Sequence, residues 1–388
     1  MTDLVLLLFW LSIAWLAYVY AGYPLILWIA GYWRRFVPEV REDYFPHVSV
    51  LISARNEEKD ILWKVTETLA WNYPPERLEL LIASDASEDG TDEILRSVKD
   101  PRLRYIRIEN RVGKNEALNQ LVQMATGELL LFSDANSHIG KDCLRSMVHH
   151  FADPRVGAVT GTEHTLSEGD ELAVGSGTCA YLDYEFMVSR LESRVGSVIV
   201  CDGSLFVIRR SLFHQLQPDL ANDLELPLYI GAKGYKLLCE TTAWALEKAM
   251  RSPREEFNRK RRICGQGVLG FWRLRSCLHG FRAWQFLSRK VLRWLSLVPM
   301  TLILLSNIAL QGRPFFKILL GLQIAFYVFA LLGFLLSQAG RRGTALFTAP
   351  FYFLLVNLAA ITGVAQACTG RRFAIWEVAV LSRGQENA

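Results

Sequence analysis

His47-Val-Ser-Val-Leu-Ile-Ser-Ala-Arg-Asn-Glu-Glu58 is the stretch whose reading decides the fold. His47–Ser53 has the length and apolar content of a buried strand, and it stops at the polar turn Ala54-Arg55-Asn56-Glu57. A helical pattern follows over Glu57–Ala70. Working outward, Leu78–Ser84 reads as a second strand ended by Asp85-Ala-Ser-Glu-Asp-Gly-Thr91, and a helix then runs to about Lys99. Leu103–Ile108 is a third strand. A loop with Gly113 and Lys114 leads into a helix over Asn115–Ala125, and a fourth strand, Glu128–Ser133, stops at Asp134. Strand and helix alternate, which predicts an α/β fold with a mostly parallel sheet covered by helices on both faces, a class that binds ligands beyond the carboxyl ends of its strands. The alternating segment from His47 to Asp134 contains neither GxGxxG nor GxxxxGK[ST], which argues against a dinucleotide enzyme or a P-loop NTPase.

Polar residues gather at those strand ends. Asp134, in Ser133-Asp-Ala-Asn136, can present a carboxylate to a hard cation such as Mg²⁺ or Mn²⁺, or simply close an Asx turn. Asp85 and Asp89 can accept hydrogen bonds from a base or ribose, with helix capping by Ser87 or Asp89 as the alternative. Lys114 precedes a helix start where a phosphate can sit, or it is a solvated lysine. In Leu220–Leu228, Asp223 stands at the start of an amphipathic segment, as a helix cap or as a base able to take a proton from an acceptor hydroxyl, with Glu225 the second candidate. Arg259-Lys-Arg-Arg262 can counter the charge of a diphosphate or lie on anionic lipid.

The chain of 388 residues has room for one large domain and a membrane part. Leu4–Trp33 lacks charge and is longer than a bilayer core requires, with an acidic residue before it where a cleaved leader has basic ones. Three more apolar segments, about Val291–Leu310, Phe315–Ser337 and Thr344–Ala367, approach spanning length. Arg34, Arg35, Arg289, Lys290 and Arg293 flank the polar stretch between the two groups, so the positive-inside tendency predicts an integral protein of the bacterial inner membrane with that stretch in the cytoplasm. Three C-terminal spans would leave Arg371 and Arg372 outside, which predicts one atypical segment, Val291–Leu310 with its Arg293 and Pro299. Val268–Leu287 reads as an interfacial amphipathic helix with Phe271, Leu274, Leu278, Phe281 and Trp284 on one face. The expected organisation is therefore an N-terminal span over 1–33, a catalytic domain over 34–262, an interfacial region over 263–290, a membrane region over 291–370 and a tail over 371–388. Seven scattered cysteines show no zinc spacing, and a net charge of +4 argues against a nucleic-acid partner.

Together these segments resemble the membrane-bound family 2 glycosyltransferases, the GT-A-fold group that includes cellulose, chitin, hyaluronan and poly-N-acetylglucosamine synthases. The resemblance runs from about Pro46 to Arg262. It implies a nucleotide-sugar donor, of the UDP type, contacted by Asn56, Glu57, Asp85, Asp89, Lys114, Arg259 and Arg262. It further implies a Mg²⁺ or Mn²⁺ ion at Asp134 and Asn136, Asp223 as general base, and an acceptor side at Asp202, Gly203 and Ser204. The implied acceptor is a lipid-linked saccharide or a polysaccharide, with membrane lipids as surroundings. Three departures stand out: Asn136 replaces the second acid of the metal motif, Asn222 replaces the acid before the base, and Ile263 follows Arg262 where processive synthases carry Trp. The last favours single addition over polymer synthesis. A catalytically silent nucleotide-sugar-binding partner is the reading from another class, kept alive by Asn136; a nucleotidyltransferase lacks its triphosphate loop.

Overall fold

The computed structural model describes residues 2–166, 173–248, 252–339 and 343–370. The tail with Arg371 and Arg372 lies outside the described residues. The N-terminal apolar run forms α1 (Thr2–Ala17) and α2 (Tyr23–Trp33), continuous through a π turn at Tyr18–Gly22. The soluble part then alternates β1 (Val48–Ala54), α3 (Ile61–Leu69), β2 (Leu78–Asp85), α4 (Thr91–Ser97), β3 (Leu103–Ile108), α5 (Lys114–Met124) and β4 (Leu129–Asp134). The helix expected from Glu57 begins only at Ile61, because the backbone of Glu57 and Glu58 is spent on the neighbouring loop at Asp89 and Thr91.

After β4 come β5 (His138–Ile139), α6 (Cys143–Val148), β6 (Val156–Leu166), α7 (Ala173–Arg194), β7 (Leu205–Arg209), α8 (Asn222–Ala232), β8 (Lys236–Lys248) and α9 (Pro253–Arg273). The eight strands form one sheet in the order β3-β2-β1-β4-β7-β6-β8-β5. Parallel pairing joins β3, β2, β1 and β4, and joins β6 to β8; β7 and β5 run antiparallel to their neighbours. The sheet is thus mixed, with its parallel half in the segment that the strand–helix alternation marked out.

Alternate residues of the central strands face opposite sides, so each strand feeds two cores. Val50, Ile52, Leu80, Ile82 and Leu131 pack with Ile61 and Val65 of α3 on one face. Leu51, Leu81, Leu130 and Phe132 pack with Ala117, Leu118 and Leu121 of α5 and Leu226 and Ile230 of α8 on the other. With β1 central, and Ser53 level with Asp134 and Ala54 with Ser84, the ends of β1, β2 and β4 open at one edge. Ser133 of β4 pairs with Leu205 of β7, which brings Asp202-Gly203-Ser204 alongside the end of β4.

The interfacial helix expected over Val268–Leu287 is not one helix. α9 runs to Arg273, a 3-10 turn occupies Arg275–Cys277, and α10 (Gly280–Phe286) starts at Gly280 with φ +52°. The apolar spacing came from two separate elements: Leu274 and Phe286 are buried while Trp272 remains 57% exposed. α9 also carries the boundary expected at 262 within its length, so its cationic residues and the following segment are one rigid element.

A π turn at Leu287–Val291 leads to the short α11 (Leu292–Trp294) and to α12 (Leu297–Ala309), followed by α13 (Pro314–Gln338) and α14 (Ala345–Cys368). Among the described residues, three helices, Thr2–Trp33, α13 and α14, are long and apolar enough to cross a membrane. The segment from Gly280 to Ala309 passes only as a pair bent by 54°, and most of Val291–Leu310, the segment expected to be atypical, lies within it. α14 packs closely on α9: a Cβ at Gly363 would lie 2.3 Å from the carbonyl oxygen of Arg261. Gly363→Val is therefore expected to force these helices apart and lower stability by about 1–3 kcal/mol, read as a fall in melting temperature in detergent.

Candidate active site

The first two strand-end turns are built as one unit. Asn56, at φ +53°, takes a hydrogen bond on its side-chain oxygen from the Glu88 N–H at 2.9 Å and donates its own N–H to the Ser87 hydroxyl. The Glu57 N–H donates to the Thr91 hydroxyl at 2.8 Å, and Asp89 accepts from Thr91 at the start of α4 and from the Glu58 N–H. Gly90, not Asp89 or Ser87, is the N-cap of α4; Asp89 closes the turn just before it and also clasps the β1 turn. Asp85 reaches farther. Its two carboxylate oxygens accept the N–H groups of Val112 and Gly113 at 2.8 and 2.9 Å, and Gly113, at φ +89°, turns the chain into α5.

That turn delivers Lys114 to Asp134, with Nζ and Oδ1 2.5 Å apart. Asp134 and Asn136 are both partly exposed while Ala135 between them is buried. Behind them lies Lys64, fully buried, whose ammonium donates to the Ser137 carbonyl at 2.6 Å and to its hydroxyl at 3.2 Å. Ser137 in turn donates to the Asp134 carbonyl at 2.9 Å. Burial lowers the Lys64 ammonium to about 8, with Glu67, Asp134 and Glu247 acting against that shift. The sequence offered no sign of this lysine, since α3 places it on the apolar face normally reserved for aliphatic residues.

Asp223 sits in the first turn of α8, and its carbonyl accepts the Cys201 N–H at 2.9 Å, tying the helix start to the loop before β7. A Cβ at Gly203 would lie 3.3 Å from Asp223 Oδ2, so glycine there leaves the carboxylate room. Burial raises the Asp223 carboxyl, and Asp134 adds to the rise; Lys114 and Lys290 oppose it. Any step needing ionised Asp223 should therefore gain rate as pH rises through a value above the usual carboxylate figure of about 3.9. A pH–rate profile checks this, and Asp223→Glu should move the acid limb.

Asp202 is pushed up to about 7 by burial and by Glu163, with a smaller push from Asp223, while its carboxylate caps Ser204. Arg259 is held by Glu163 at 2.9 Å and Glu247 at 3.6 Å, so two strand carboxylates already balance it. Arg262 on α9 lies within electrostatic reach of both Asp134 and Asp223. Glu225 lies elsewhere: it is fully buried and accepts from the Gln217 N–H and side-chain amide, beside Arg273. Glu163 and Glu247 escaped the sequence reading because their partner is met only through the β6–β8 pairing, where Thr165 stands opposite Glu247.

The cleft thus brings together Asp134, Lys114, Asp223, Asp202 and Arg262, with Asp85, Asp89, Asn56 and Glu57 forming its scaffolded wall. For a divalent ion, no group of three or more His, Cys, Asp or Glu is assembled among the described residues. One carboxylate and one amide oxygen suit Mg²⁺ or Mn²⁺ when a ligand's phosphates complete the shell.

Residues 49–217 match the model of glycosyl transferase family 2. The chain is 24% identical over 246 residues to the poly-β-1,6-N-acetyl-D-glucosamine synthase of Staphylococcus aureus, a match covering 58% of this chain and 59% of the relative. It is 31% identical over 152 residues to the β-monoglucosyldiacylglycerol synthase of Synechocystis sp., covering 38% of this chain and 32% of the relative. Among solved structures, the mannosyltransferase PcManGT from Pyrobaculum calidifontis, in complex with GDP-Man and Mn²⁺, superposes with a TM-score of 0.73 at 21% identity, covering 94% of this chain and 100% of that one. That likeness concerns the fold. Residues 49–217 are accordingly a glycosyl transferase family 2 domain, carried on a GT-A fold.

Proposed function

We propose that the chain is a membrane-anchored, inverting glycosyltransferase that moves a sugar from a nucleotide-sugar donor, of the UDP type, to a hydroxyl of a lipid-linked saccharide or polysaccharide. The observation that carries this reading is Asp223 at the start of α8, in electrostatic reach of Lys114, Asp134 and Arg262 within one cleft. Asp223 accepts the acceptor hydroxyl proton as the oxygen attacks the sugar carbon from the face opposite the leaving diphosphate. Lys114 exchanges Asp134 for the diphosphate, and Arg262 adds a second cation to the leaving group. Asp85 and Asp89 act mainly by holding the turns that shape the nucleotide wall, and Arg259 by anchoring α9 to β6 and β8. Asp134 and Asn136 would hold Mg²⁺ or Mn²⁺, which supplies charge neutralisation at the diphosphate when bound.

Membrane association follows from the apolar helices at both ends; placement in a bacterial inner membrane with the catalytic domain in the cytoplasm belongs to the proposal. Ile263 is 40% exposed on α9, one residue beyond Arg262, and supports addition of a single sugar. The test is a screen of radiolabelled nucleotide sugars on the purified chain in bilayers with lipid-linked saccharide acceptors, followed by product sizing. One sugar per acceptor is the expected product; a polymer ladder overturns single addition, and bound nucleotide without turnover of any donor overturns the transferase reading. Asn136→Asp restores a charge to the metal position and should lower the Mn²⁺ concentration for half-activation by about tenfold.

A further inference from the structure

α3 grips the turn after β4 at consecutive residues. Ile61, Lys64, Val65 and Thr68 share one face of the helix, as their spacing requires, and all four are buried. The Lys64 stem therefore runs through the apolar core. Its ammonium stays inside as well, ending on the Ser137 carbonyl at 2.6 Å and the Ser137 hydroxyl at 3.2 Å. Neighbouring positions repeat the pattern: the His138 ring lies against Trp63, and the Ile139 N–H donates to Glu67 at 3.1 Å. Ser137, His138 and Ile139 are thus all held from one helix, directly after Asp134 and Asn136.

Ser137 passes the hold on to Asp134. Its hydroxyl donates to the Asp134 carbonyl at 2.9 Å and lies 3.1 Å from the Ser133 hydroxyl, so one side chain ties the two ends of the turn together. The turn depends on this support. Among the described residues the Asn136 side chain makes no hydrogen bond, and its direction follows from the backbone between Asp134 and Ser137. An aliphatic residue at position 64 would fill the same space at lower cost, because among the described residues Lys64 forms no ion pair and a buried ammonium without one is unfavourable. Packing does not account for a lysine here; its two bonds to Ser137 do. Direct contact with a ligand is excluded, since Lys64 and Ser137 are both 0% exposed.

We propose that Lys64 is a positioning residue for the divalent-ion site: through Ser137 it fixes the turn that aims Asp134 and Asn136 at the ion and the diphosphate. This rests on the transferase reading for the presence of ion and diphosphate at those residues. Lys64 acts by geometry rather than by charge. Its charge repels a cation, so deleting the ammonium would tighten ion binding if charge were the larger effect, and would weaken it if the turn is what matters. The two roles therefore differ in sign. Groups that fix the direction of metal ligands from behind control affinity by about 10–100-fold.

Binding tests this without turnover. The full chain in nanodiscs is titrated with Mn²⁺ at saturating UDP, free Mn²⁺ being read by electron paramagnetic resonance, and UDP binding is measured separately in EDTA. Lys64→Met should weaken Mn²⁺ binding by about tenfold or more, with metal-free UDP binding kept within about threefold. Ser137→Ala should weaken Mn²⁺ binding too, and the double variant should be no weaker than Lys64→Met, because both act along one chain of bonds. Hydrogen exchange at the amides of residues 134–139 should be faster in the ligand-free Lys64→Met chain, while thermal unfolding confirms its fold. If Lys64→Met does not fold, Ser137→Ala decides by the same measurements. Unchanged or tighter Mn²⁺ binding overturns the proposal, as do additive effects of the two substitutions, or an equal loss of metal-free UDP binding. A wild type that binds no Mn²⁺ with UDP removes the ion from Asp134 and the proposal with it. Weakened Mn²⁺ binding in the variant, with no donor turned over by the wild type, sinks the transferase reading and leaves the positioning role standing; turnover by the wild type with Mn²⁺ affinity untouched in Lys64→Met does the reverse.

Discussion

Asp223→Asn is expected to lower sugar transfer by about 10²–10⁴-fold while leaving donor affinity within a few-fold of wild type. The amide keeps the shape of the side chain and the space opposite Gly203, but it cannot accept the proton. The loss should fall on kcat, because the proposed role of Asp223 is at the reacting hydroxyl, and the proposed contacts of Lys114 and Arg262 to the diphosphate are left in place. Steady-state kinetics with the donor from the screen, together with nucleotide binding by calorimetry, separate the two parameters. Transfer at the wild-type rate would remove Asp223 from the role of base, and loss of nucleotide binding would show that the substitution had disturbed the cleft as a whole.

The second large effect concerns stability. Arg289→Met is expected to cost about 3–5 kcal/mol, because it strands Glu192 and half of the Glu185 interaction in a site closed to water. Glu192 also accepts from the Tyr23 hydroxyl at 2.5 Å and from the Ile199 N–H, so the same carboxylate joins α2, α7 and the segment before β7. Thermal unfolding in detergent should therefore show α2 released along with α7. Adding Glu192→Gln to Arg289→Met should recover part of the loss, and the double-mutant cycle measures the coupling. A melting temperature unchanged by Arg289→Met would mean that water reaches the pair.

The parallel half of the sheet was legible because its strands are short apolar runs punctuated by Asp, Gly and Asn at their ends. Val48–Ala54 is shifted by one residue at each end from the sequence reading, and Leu78–Asp85 is longer by one residue at its end. The same punctuation exposed Asp85, Asp134 and Lys114. It did not reveal that Asp85 spends both oxygens on the Val112–Gly113 backbone, a contact made between loops that meet only in the folded chain. Beyond β4 the signal weakens. β6 and β8 carry the glutamates Glu163 and Glu247, which local pattern reads as solvent-facing positions; their partial burial makes sense only once Arg259 arrives on α9. Arg289 and Arg293 illustrate the same limit: basic residues beside an apolar segment suggest a lipid flank, yet Glu185 and Glu192 draw them inward.

The close approach of α14 to α9 at Gly363 also links two environments mechanically. α9 bears Arg259 and Arg262 on a helix running to Arg273, and that helix has one neighbour whose seating is governed by lipid. With α14 seated in a bilayer as proposed, a thicker or thinner hydrocarbon layer tilts or shifts it at small energetic cost. Such a displacement is expected to pass to the Arg261 backbone, because the two helices approach so closely there that even a methyl group at Gly363 has no room. With Arg262 in its proposed role, transfer rate is expected to vary with acyl-chain length, the lipid matrix acting as a rheostat, and kcat compared across bilayers of different thickness checks this.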